Sequence, residues 1–321
     1  MTSRRRLLRS LGRRGDARLA VLILALIVLL SLAAPLYARV VAVDPFASDI
    51  AGSTWRNGKR VDLMQPNDNP LHLGLSPIGP SWRFGPYMLG ADSQGRDVAA
   101  RVLYGGRNSL LISVSSALLC LALAATIGVC AGYFGGWIDL ALSRMLDILW
   151  AIPVYLFAIS LSVVTVGHGL NLGLVRVSAD NLLIPIFIIA LVYVPYAARP
   201  LRARALSLAR AEFVIAAKSL GASPWRILCR EILPNLADTL IVLAPLVTAL
   251  CLLAESALSF LSLGVQAPAA SWGSIIQDGE GLLYTRPAVA IAPGLAIVAT
   301  VLALNMLGDA LRAALNPKER R

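Results

Sequence analysis

The sequence predicts an all-α integral membrane protein with six transmembrane helices. Of its 321 residues, 57% are hydrophobic and only 15% are charged, whereas a soluble domain has roughly 45–50% apolar and about 25% charged residues. The apolar residues fall into long segments, most of them near the roughly 20 residues that a helix needs to cross a bilayer. Basic residues concentrate in alternate connecting segments, as topology requires. These observations exclude a soluble globular protein and a disordered chain.

The six predicted spans follow one another along the chain with polar segments between them. They are Leu19–Tyr37, Asn108–Ile138, Ile148–Val175, Asn181–Ala198, Thr239–Gly264 and Pro287–Gly308. The second contains one helix and a glycine-rich turn at Gly132, Gly135 and Gly136. The alternative for the first is a cleaved signal peptide. Its apolar run exceeds the roughly 7–15 residues of a signal core, and no clean cleavage site follows, so we expect an uncleaved anchor helix.

These spans divide the chain into five parts. We expect a basic cytoplasmic N-terminus at 1–18, a first transmembrane helix at 19–38, an extracytoplasmic loop or insertion at 39–100, a five-helix region at 101–312 and a cytoplasmic tail at 313–321. The third part is rich in Pro, Gly, Asn and Asp and shows little periodicity. This composition is typical of a loop or a small insertion.

The net charge of +11 follows this topology. With the N-terminus inside, the cytoplasmic segments 1–18, 133–144, 199–235 and 309–321 carry 7, 1, 7 and 4 Lys and Arg residues, together 19 of the 29. The short external loops 167–181 and 265–286 carry one each, Arg176 and Arg286. This bias is the positive-inside rule. The basic charge therefore predicts membrane orientation, and nucleic acid is not an expected partner.

Cysteine and histidine form no recognisable metal or redox pattern. The four cysteines include no CxxC pair, and three lie in apolar runs, as small buried hydrophobic residues do: Cys120, Cys130, Cys229 and Cys251. His72 and His168 are far apart in the sequence. The chain also has no GxxxxGK[ST] phosphate loop, so energy from ATP would have to come from a separate subunit.

The segment 199–235 predicts two short helices joined by a tight turn at the membrane face. Good helix formers precede Gly221, which predicts a left-handed stop after the first helix. Ser223 and Pro224 predict an N-cap and the first residue of a second helix, which runs through Trp225. Pro234 then marks the start of the fifth span.

Two small residues in the first of these helices, Ala216 and Ala217, permit a partner to approach closely. The segment thus predicts a rigid projection that binds another protein. The residues alone favour equally a helix pair that lies among lipid headgroups by its basic face.

Polar residues inside the apolar segments are candidates for a translocation pathway. Glu255 lies within the fifth span, where a lone carboxylate must face protein or water. Neighbouring serines favour packing against another helix, with substrate contact as the alternative. Arg144 and Asp147 are three residues apart and predict an ion pair that holds helices together rather than one that contacts substrate. Asn305 in the sixth span is a further candidate.

The segment 199–235 resembles the EAA loop of ATP-binding cassette (ABC) importer permeases. The matching residues are Ile215, Ala216, Ala217 and Gly221, followed by Ile232, Leu233 and Pro234. Ile215 departs from the family, which usually has Glu there. By this resemblance the loop contains a coupling helix that docks in a groove of the ATPase, and it includes Ala222, Ser223, Pro224 and Trp225.

Four further motifs resemble the C-type permease of dipeptide, oligopeptide and nickel importers. Together with the loop they cover about residues 89–317 in order, but not the insertion at 40–88. They are Leu89–Asp97 with Arg101 and Tyr104–Leu110, Ala131–Asp139 with Arg144, Asp147 and Pro153, Glu255–Leu261 with Gly264–Gln266 and Ser271–Gly273, and Pro293–Leu295 with Asn305–Asp309.

The resemblance implies a type I ABC importer permease in the plasma (inner) membrane of a prokaryote, with both termini in the cytoplasm. It implies a heterodimer with a homologous B-type permease, two ATPase subunits, an extracytoplasmic solute-binding protein and surrounding lipid. The permease would be non-catalytic and would bind no cofactor, because ATP and Mg²⁺ belong to the ATPases. Dipeptides or oligopeptides are the expected solutes, with nickel, glutathione, opines and other peptide-like solutes as alternatives.

Functions of other classes find less support in the residues. A secondary transporter usually has two repeat-related halves, and no strong internal repeat is visible. A membrane-embedded enzyme would need a polar constellation at membrane depth, but neither GxSxG nor HExxH occurs. A channel would need a recognisable filter. ATPase activity that depends on a binding protein would distinguish the importer from all three.

Overall fold

A computed structural model describes residues 14–56, 58–67, 74–166, 169–171, 176–178 and 181–315. Outside these residues lie most of the predicted basic N-terminus and most of the predicted tail. The two histidines, His72 and His168, also lie outside them. The described helices are α1 Gly15–Leu32, α2 Ala34–Val41, α3 Val98–Phe134, α4 Gly136–Ala151, α5 Val154–Val166, α6 Leu183–Ala209, α7 Glu212–Ser219, α8 Pro224–Ile227, α9 Leu233–Phe260, α10 Trp272–Gly279 and α11 Ala288–Leu315.

Among the described residues, five helical segments are long and apolar enough to cross a membrane, or six if the bent pair α4–α5 counts as one span. The larger count agrees with the six predicted spans. The chain forms two compact units. The first contains Ser113–Cys251 together with segments near both termini, and the second contains Leu22–Ile112 and Leu252–Val301.

The first span continues beyond its predicted end. Helical hydrogen bonds run through Ala33, whose N–H binds the Leu29 carbonyl at 2.9 Å and whose carbonyl accepts from Tyr37 at 3.0 Å. Ala42 then ends α2 in the left-handed conformation, with φ of 56°. The two helices therefore form one nearly continuous path of 27 residues, Gly15–Val41.

The second span begins ten residues before its predicted start at Asn108. Asp97 caps the new N-terminus, since its Oδ1 accepts a hydrogen bond from the Ala100 N–H at 2.8 Å. The predicted turn is confirmed at Gly135 and Gly136, which have φ of 65° and 51°. Gly132 is different, because it lies within α3. A Cβ there would meet the Arg202 carbonyl oxygen at 2.7 Å, so this glycine permits close packing of α3 against α6.

The predicted third span, Ile148–Val175, begins at a sharp bend. The chain bends by 87° between α4 and α5. Pro153 lies at the bend and has no N–H to donate, and the residue before it, Ile152, is extended with φ of −87° and ψ of 130°. The residue before a proline is driven out of the helical region, which accounts for the break.

The fifth span does not start at Pro234, where the sequence predicts its start. The helical path runs without interruption from Pro224 to Phe260. A π-helical turn at Leu228–Ile232 precedes Pro234, and the Leu233 N–H binds the Leu228 carbonyl across it. This wider turn lets the helix continue through a proline that cannot donate.

Residues 42–97 lie in the part predicted as a loop or an insertion, and they form a folded insertion. Strand β1 (Ser53–Arg56) pairs with β2 (Lys59–Asp62), and β3 (Met64–Pro66) pairs with β4 (Leu75–Pro77), both antiparallel. Leu63, Ile78, Tyr87 and Ala91 form its buried core. A third antiparallel pair, β5 (Leu170–Asn171) and β6 (Arg176–Val177), lies between α5 and α6.

The predicted external loop 265–286 contains a helix, α10. Ser271 caps it by a capping box, in which its side chain accepts from the Ser274 N–H and the Ser274 hydroxyl accepts from the Ser271 N–H. Trp272 is buried, and its Nε1 donates to the Val102 carbonyl on α3 at 3.0 Å. A short 3₁₀ turn at Glu280–Leu282 follows.

Candidate functional site

The segment between α6 and α9 forms the predicted pair of short helices. Gly221 follows α7 with φ of 77°. The Gly221 N–H binds the Lys218 carbonyl, and the Ala222 N–H binds the Ala217 carbonyl, both at 3.0 Å. These two bonds form a Schellman motif, so the predicted left-handed stop is confirmed. We call Glu212–Leu233 the helix pair.

The predicted start of the second helix is also confirmed. Ser223 is extended, and its hydroxyl accepts from the Arg226 N–H at 3.4 Å. Pro224 follows at the first helical position, where its missing N–H costs nothing. The turn is therefore specified by three neighbouring residues, and its geometry is rigid.

The helix pair is fixed to its own unit by a few buried side chains and presents large apolar side chains outward. Val214, Ile227 and Ile232 are buried. By contrast, Leu220 is 88% exposed and Trp225 75% exposed. Further outward residues of the predicted loop are Ile215, Ala216, Leu233 and Pro234. A depression of about 190 Å³ between the two helices is lined by Ala217, Leu220, Ala222, Arg226, Ile227 and Glu231.

Lys218 contacts an aromatic ring of α3. Its Nζ lies 5.0 Å from the ring centroid of Tyr133, near the end of α3. This cation–π contact connects the helix pair to α3. Gly128 supports the same region, since a Cβ there would meet the Arg202 N–H nitrogen at 2.9 Å, which shows how closely α3 and α6 pack.

Two ion pairs connect α4 to α6 and explain the acidic residues of α4. The Arg202 guanidinium binds Asp139 through two nitrogens. Arg199 Nη2 binds Asp147 Oδ1 at 2.9 Å. The predicted pair between Arg144 and Asp147 is weaker, because its atoms are 3.9 Å apart and both side chains are more than half exposed.

The sequence therefore predicted a link that holds helices together but not its main partners. In the sequence, Arg199 and Arg202 are two of the seven basic residues that make segment 199–235 a topology signal. Their spacing of three residues at the end of a span is the available signal, since both then lie on one helix face. Arg199 also lies over the Trp150 ring at 4.7 Å, and Trp150 stacks on Tyr196.

Glu255 is enclosed by serine hydroxyls. It is fully buried, and Ser259 Oγ donates to Oε1 at 2.8 Å, with a longer bond of 3.4 Å from Ser256 to Oε2. The hydroxyls of Ser109 on α3 and Ser271 before α10 lie near this carboxylate as well. This geometry supports the packing interpretation of Glu255, because several protein donors surround the carboxylate.

Small residues let α10 approach this site. A Cβ on Gly273 would lie 2.2 Å from the Ser256 carbonyl oxygen, and one on Gly105 would lie 3.0 Å from the Ser271 carbonyl carbon. The Trp272 N–H donates to Ser109 Oγ at 3.1 Å. Glu255 thus lies where α3, α9 and α10 pack against one another.

Asn305 differs from Glu255 in its surroundings. It lies on α11 with an exposed side chain. Asn305 and Asp147 belong to the first compact unit, and Glu255 belongs to the second.

A buried cluster of charges involves residues from the start of α3. Asp92 and Asp278 share the two guanidinium groups of Arg96 and Arg101. Arg96 binds Asp92 at 2.7 Å and Asp278 at 2.9 Å, and Arg101 Nη2 binds Asp278 at 2.7 Å. Burial raises the pKa of the Asp278 carboxyl, and the two arginines oppose this shift. The cluster fastens α10 to the start of α3, and sequence analysis missed the contribution of Asp278.

Comparison with known proteins agrees with this architecture. Residues 124–321 match the family model described as the binding-protein-dependent transport system inner membrane component. The chain belongs to this family. It is 38% identical over 250 residues, 78% of the chain and 76% of the relative, to the dipeptide transport system permease protein DppC of Alkalihalophilus pseudofirmus.

A second relative and a solved structure extend the comparison. The chain is 38% identical over 232 residues, 72% of the chain and 73% of the relative, to the glutathione transport system permease protein GsiD of Pectobacterium atrosepticum. An inward-facing structure of the MetNI methionine ABC transporter matches its fold with a TM-score of 0.52 and 19% identity, over 67% of this chain and 97% of that one. The chain is therefore a multi-pass permease with the type I ABC importer fold, as predicted.

Proposed function

We propose that this permease is the C-type subunit of an ATP-driven peptide importer and that the helix pair couples it to an ATPase. The observation that supports this most directly is the exposed apolar surface of the helix pair. Leu220 and Trp225 are 88% and 75% exposed although the turn between them is rigid. A rigid apolar projection costs solvation unless a partner covers it, and an ATPase groove is the partner that the family provides.

The local structure suits this role. The Schellman motif at Gly221 and the cap at Ser223 hold the two helices at a fixed angle. Ile215 stands where the family usually has Glu and is 53% exposed, so it supplies an apolar contact instead of a polar one. Motion of the ATPase would then pass through the helix pair into α6 and α9, which are joined to it.

The proposed topology places both termini and the helix pair in the cytoplasm and the insertion outside. The distribution of Lys and Arg supports it, since 7 of them lie in the segment 199–235. In this orientation the insertion and α10 face the solute-binding protein, and the helix pair faces the ATPases.

We propose a heterodimer with a homologous B-type permease, in which the translocation pathway lies between the two subunits. The exposed side chain of Asn305 supports this arrangement, because a polar side chain within a span must face protein or water. Asn305 lies on α11 and is exposed in the single chain. It would face the pathway or the second permease in the complex, whereas Asp147, which pairs with Arg199, and Glu255 keep their packing roles.

Transport would proceed by alternating access between inward- and outward-facing states. ATP bound by the ATPases draws the two helix pairs together, and the permeases open toward the binding protein. Hydrolysis then restores the inward-facing state. This chain contributes the rigid connection and the pathway surface.

The proposed solutes are dipeptides and oligopeptides, with glutathione as the second candidate. Relatives named for dipeptide and glutathione transport, each 38% identical, support both. Nickel and opines remain alternatives from the wider family.

The experiment is uptake by the whole complex reconstituted in vesicles with its binding protein. We expect ATP hydrolysis to rise when the binding protein is added and labelled dipeptide to accumulate. Unlabelled dipeptide should compete more strongly than glutathione or Ni²⁺. Transport that needs an ion gradient and no ATPase would contradict the importer assignment. Competition by glutathione alone would make glutathione the solute in place of peptides.

A further inference from the structure

The loop of residues 81–86 in the insertion carries two outward aromatic side chains. Trp82 is 73% exposed and Phe84 is 75% exposed. We call this segment the aromatic loop. Exposed aromatic residues on a membrane protein occur preferentially at the boundary between hydrocarbon and water.

The aromatic loop has a defined shape. The N–H groups of Ser81 and Trp82 both donate to the Met88 carbonyl, at 3.1 and 3.2 Å. Tyr87, directly after the loop, is buried in the core of the insertion. The two exposed rings are therefore presented from a fixed base.

The loop also contacts α2, the C-terminal continuation of the first span. The Tyr37 hydroxyl on α2 donates to the Gly85 carbonyl at 3.2 Å. The Tyr37 and Phe84 rings pack edge to face, with their centroids 5.9 Å apart. Phe84 is thus held beside α2 at a known position along the helix.

The length of the helical path places this contact at the membrane boundary. Residues Gly15–Val41 span about 40 Å at 1.5 Å per residue, whereas the hydrocarbon core is about 30 Å thick. Arg18 and Arg39 are 21 residues apart, about 32 Å along a helix. This separation matches the thickness of the hydrocarbon core, so the two charges would lie near its two boundaries and Tyr37 would lie close to the boundary beside Arg39.

The apolar surface beside the loop continues from the lipid-facing surface of the span. Exposed residues recur at helical spacing along the path: Leu22, Leu26, Leu29, Leu36 and Val40. Only 17% of the residues in Gly15–Leu32 are buried within the chain. The stripe formed by these residues ends next to Tyr37 and the aromatic loop.

We infer that the aromatic loop is a lipid anchor, which inserts Trp82 and Phe84 into the boundary between headgroups and acyl chains at the end of the first span. The anchor holds the insertion against the bilayer surface. It does not depend on the proposed function, because Tyr37 and the aromatic loop make the same contacts whichever side of the membrane the insertion occupies.

The test places a photoreactive side chain on the anchor in the intact reconstituted complex. The two variants are Trp82→p-benzoyl-phenylalanine and Phe84→p-benzoyl-phenylalanine. Each variant complex is irradiated in vesicles of phosphatidylethanolamine and phosphatidylglycerol, and the adducts are identified by mass spectrometry. Both positions tolerate a large ring because both are exposed. The control is Lys59→p-benzoyl-phenylalanine on the charged tip of the β1–β2 hairpin, which is also exposed.

We expect phospholipid adducts at both anchor positions in several-fold excess over the control. Adducts to a protein subunit would overturn the inference and assign the loop to a protein interface. A lipid yield no higher than at Lys59 would also overturn it.

A second measurement uses the native side chain. Lipids brominated near the headgroup should quench part of the tryptophan fluorescence of the complex more strongly than lipids brominated near the chain end. The Trp82→Phe variant should lose that part. Equal quenching of both proteins would contradict the anchor.

Discussion

Glu255 is a carboxylate at membrane depth whose stability depends on its immediate neighbours. Ser259 Oγ lies 2.8 Å from it, and the side chain has no exposed surface. A buried polar group costs free energy unless its hydrogen bonds are made. The serines meet this need, so the residue is part of the packing between α9 and its neighbours.

We predict that Glu255→Gln folds nearly as well as the original chain and that Glu255→Leu does not. Gln keeps an acceptor for Ser259, whereas Leu leaves buried hydroxyls without one, at about 1–3 kcal/mol each. Expression and thermal stability of the purified permease measure the difference. Glu280→Leu, at an exposed carboxylate, is the control and should change stability little. Equal stability of the two Glu255 variants would contradict the packing role.

Helix α4 illustrates how an element with little burial is held in place. Leu146 is its buried residue, and its other side chains are exposed or half-buried. The ion pairs of Asp139 with Arg202 and of Asp147 with Arg199 connect it to α6. Helix α4 begins after the turn at Gly135 and ends at the bend before Pro153. The two ion pairs therefore hold the orientation of α4 between these two changes of direction.

We predict that Asp139→Asn loosens α4 without unfolding the protein. The bidentate pair with Arg202 is partly exposed, so its loss should cost about 1 kcal/mol, or roughly fivefold in the local opening equilibrium. Hydrogen exchange of the amides of residues 136–151 measures the effect. Arg144→Ala is the control, because that side chain is 73% exposed and its pair is long. Similar exchange in both variants would show that the ion pair does not hold α4.

The elements that the sequence predicted well are those with strong local signals. Gly221, Ser223 and Pro224 specify their turn by backbone chemistry within four residues, and the structure confirms it. Pro153 and Pro234 carry the same local signal but have opposite outcomes, because a π turn accommodates only the second. The strands of the insertion have three or four residues, too few to show periodicity in the sequence. The contact of Arg96 and Arg101 with Asp278 joins residues 177 or more positions apart, which no local pattern reveals.

The whole molecule combines a set of spans with two connecting regions that carry specific surfaces. The number of spans followed from hydropathy and the family from motifs in order, because both depend on residue type along the chain. The exact path did not, since α3 starts ten residues earlier than predicted and α4–α5 bends by 87°. The central claim for the whole molecule is that the exposed helix pair transmits the ATPase motion to the spans.

Uptake coupled to ATP hydrolysis in variants of the helix pair tests this claim most directly. Gly221→Asp introduces a charge on the surface that would enter the ATPase groove. Gly58→Asp is a matched control, because Gly58 has φ of 76°, Gly221 has φ of 77°, and neither has an atom within 4 Å of an added Cβ. The two variants therefore share the same conformational cost.

A third variant, Ala216→Arg, adds bulk to the exposed side of α7. All three variants should reach the membrane. We predict that Gly221→Asp and Ala216→Arg lose uptake, with weaker ATPase association or hydrolysis that no longer drives transport, while Gly58→Asp transports normally. Normal coupled transport by both Gly221→Asp and Ala216→Arg would contradict the docking role of the helix pair.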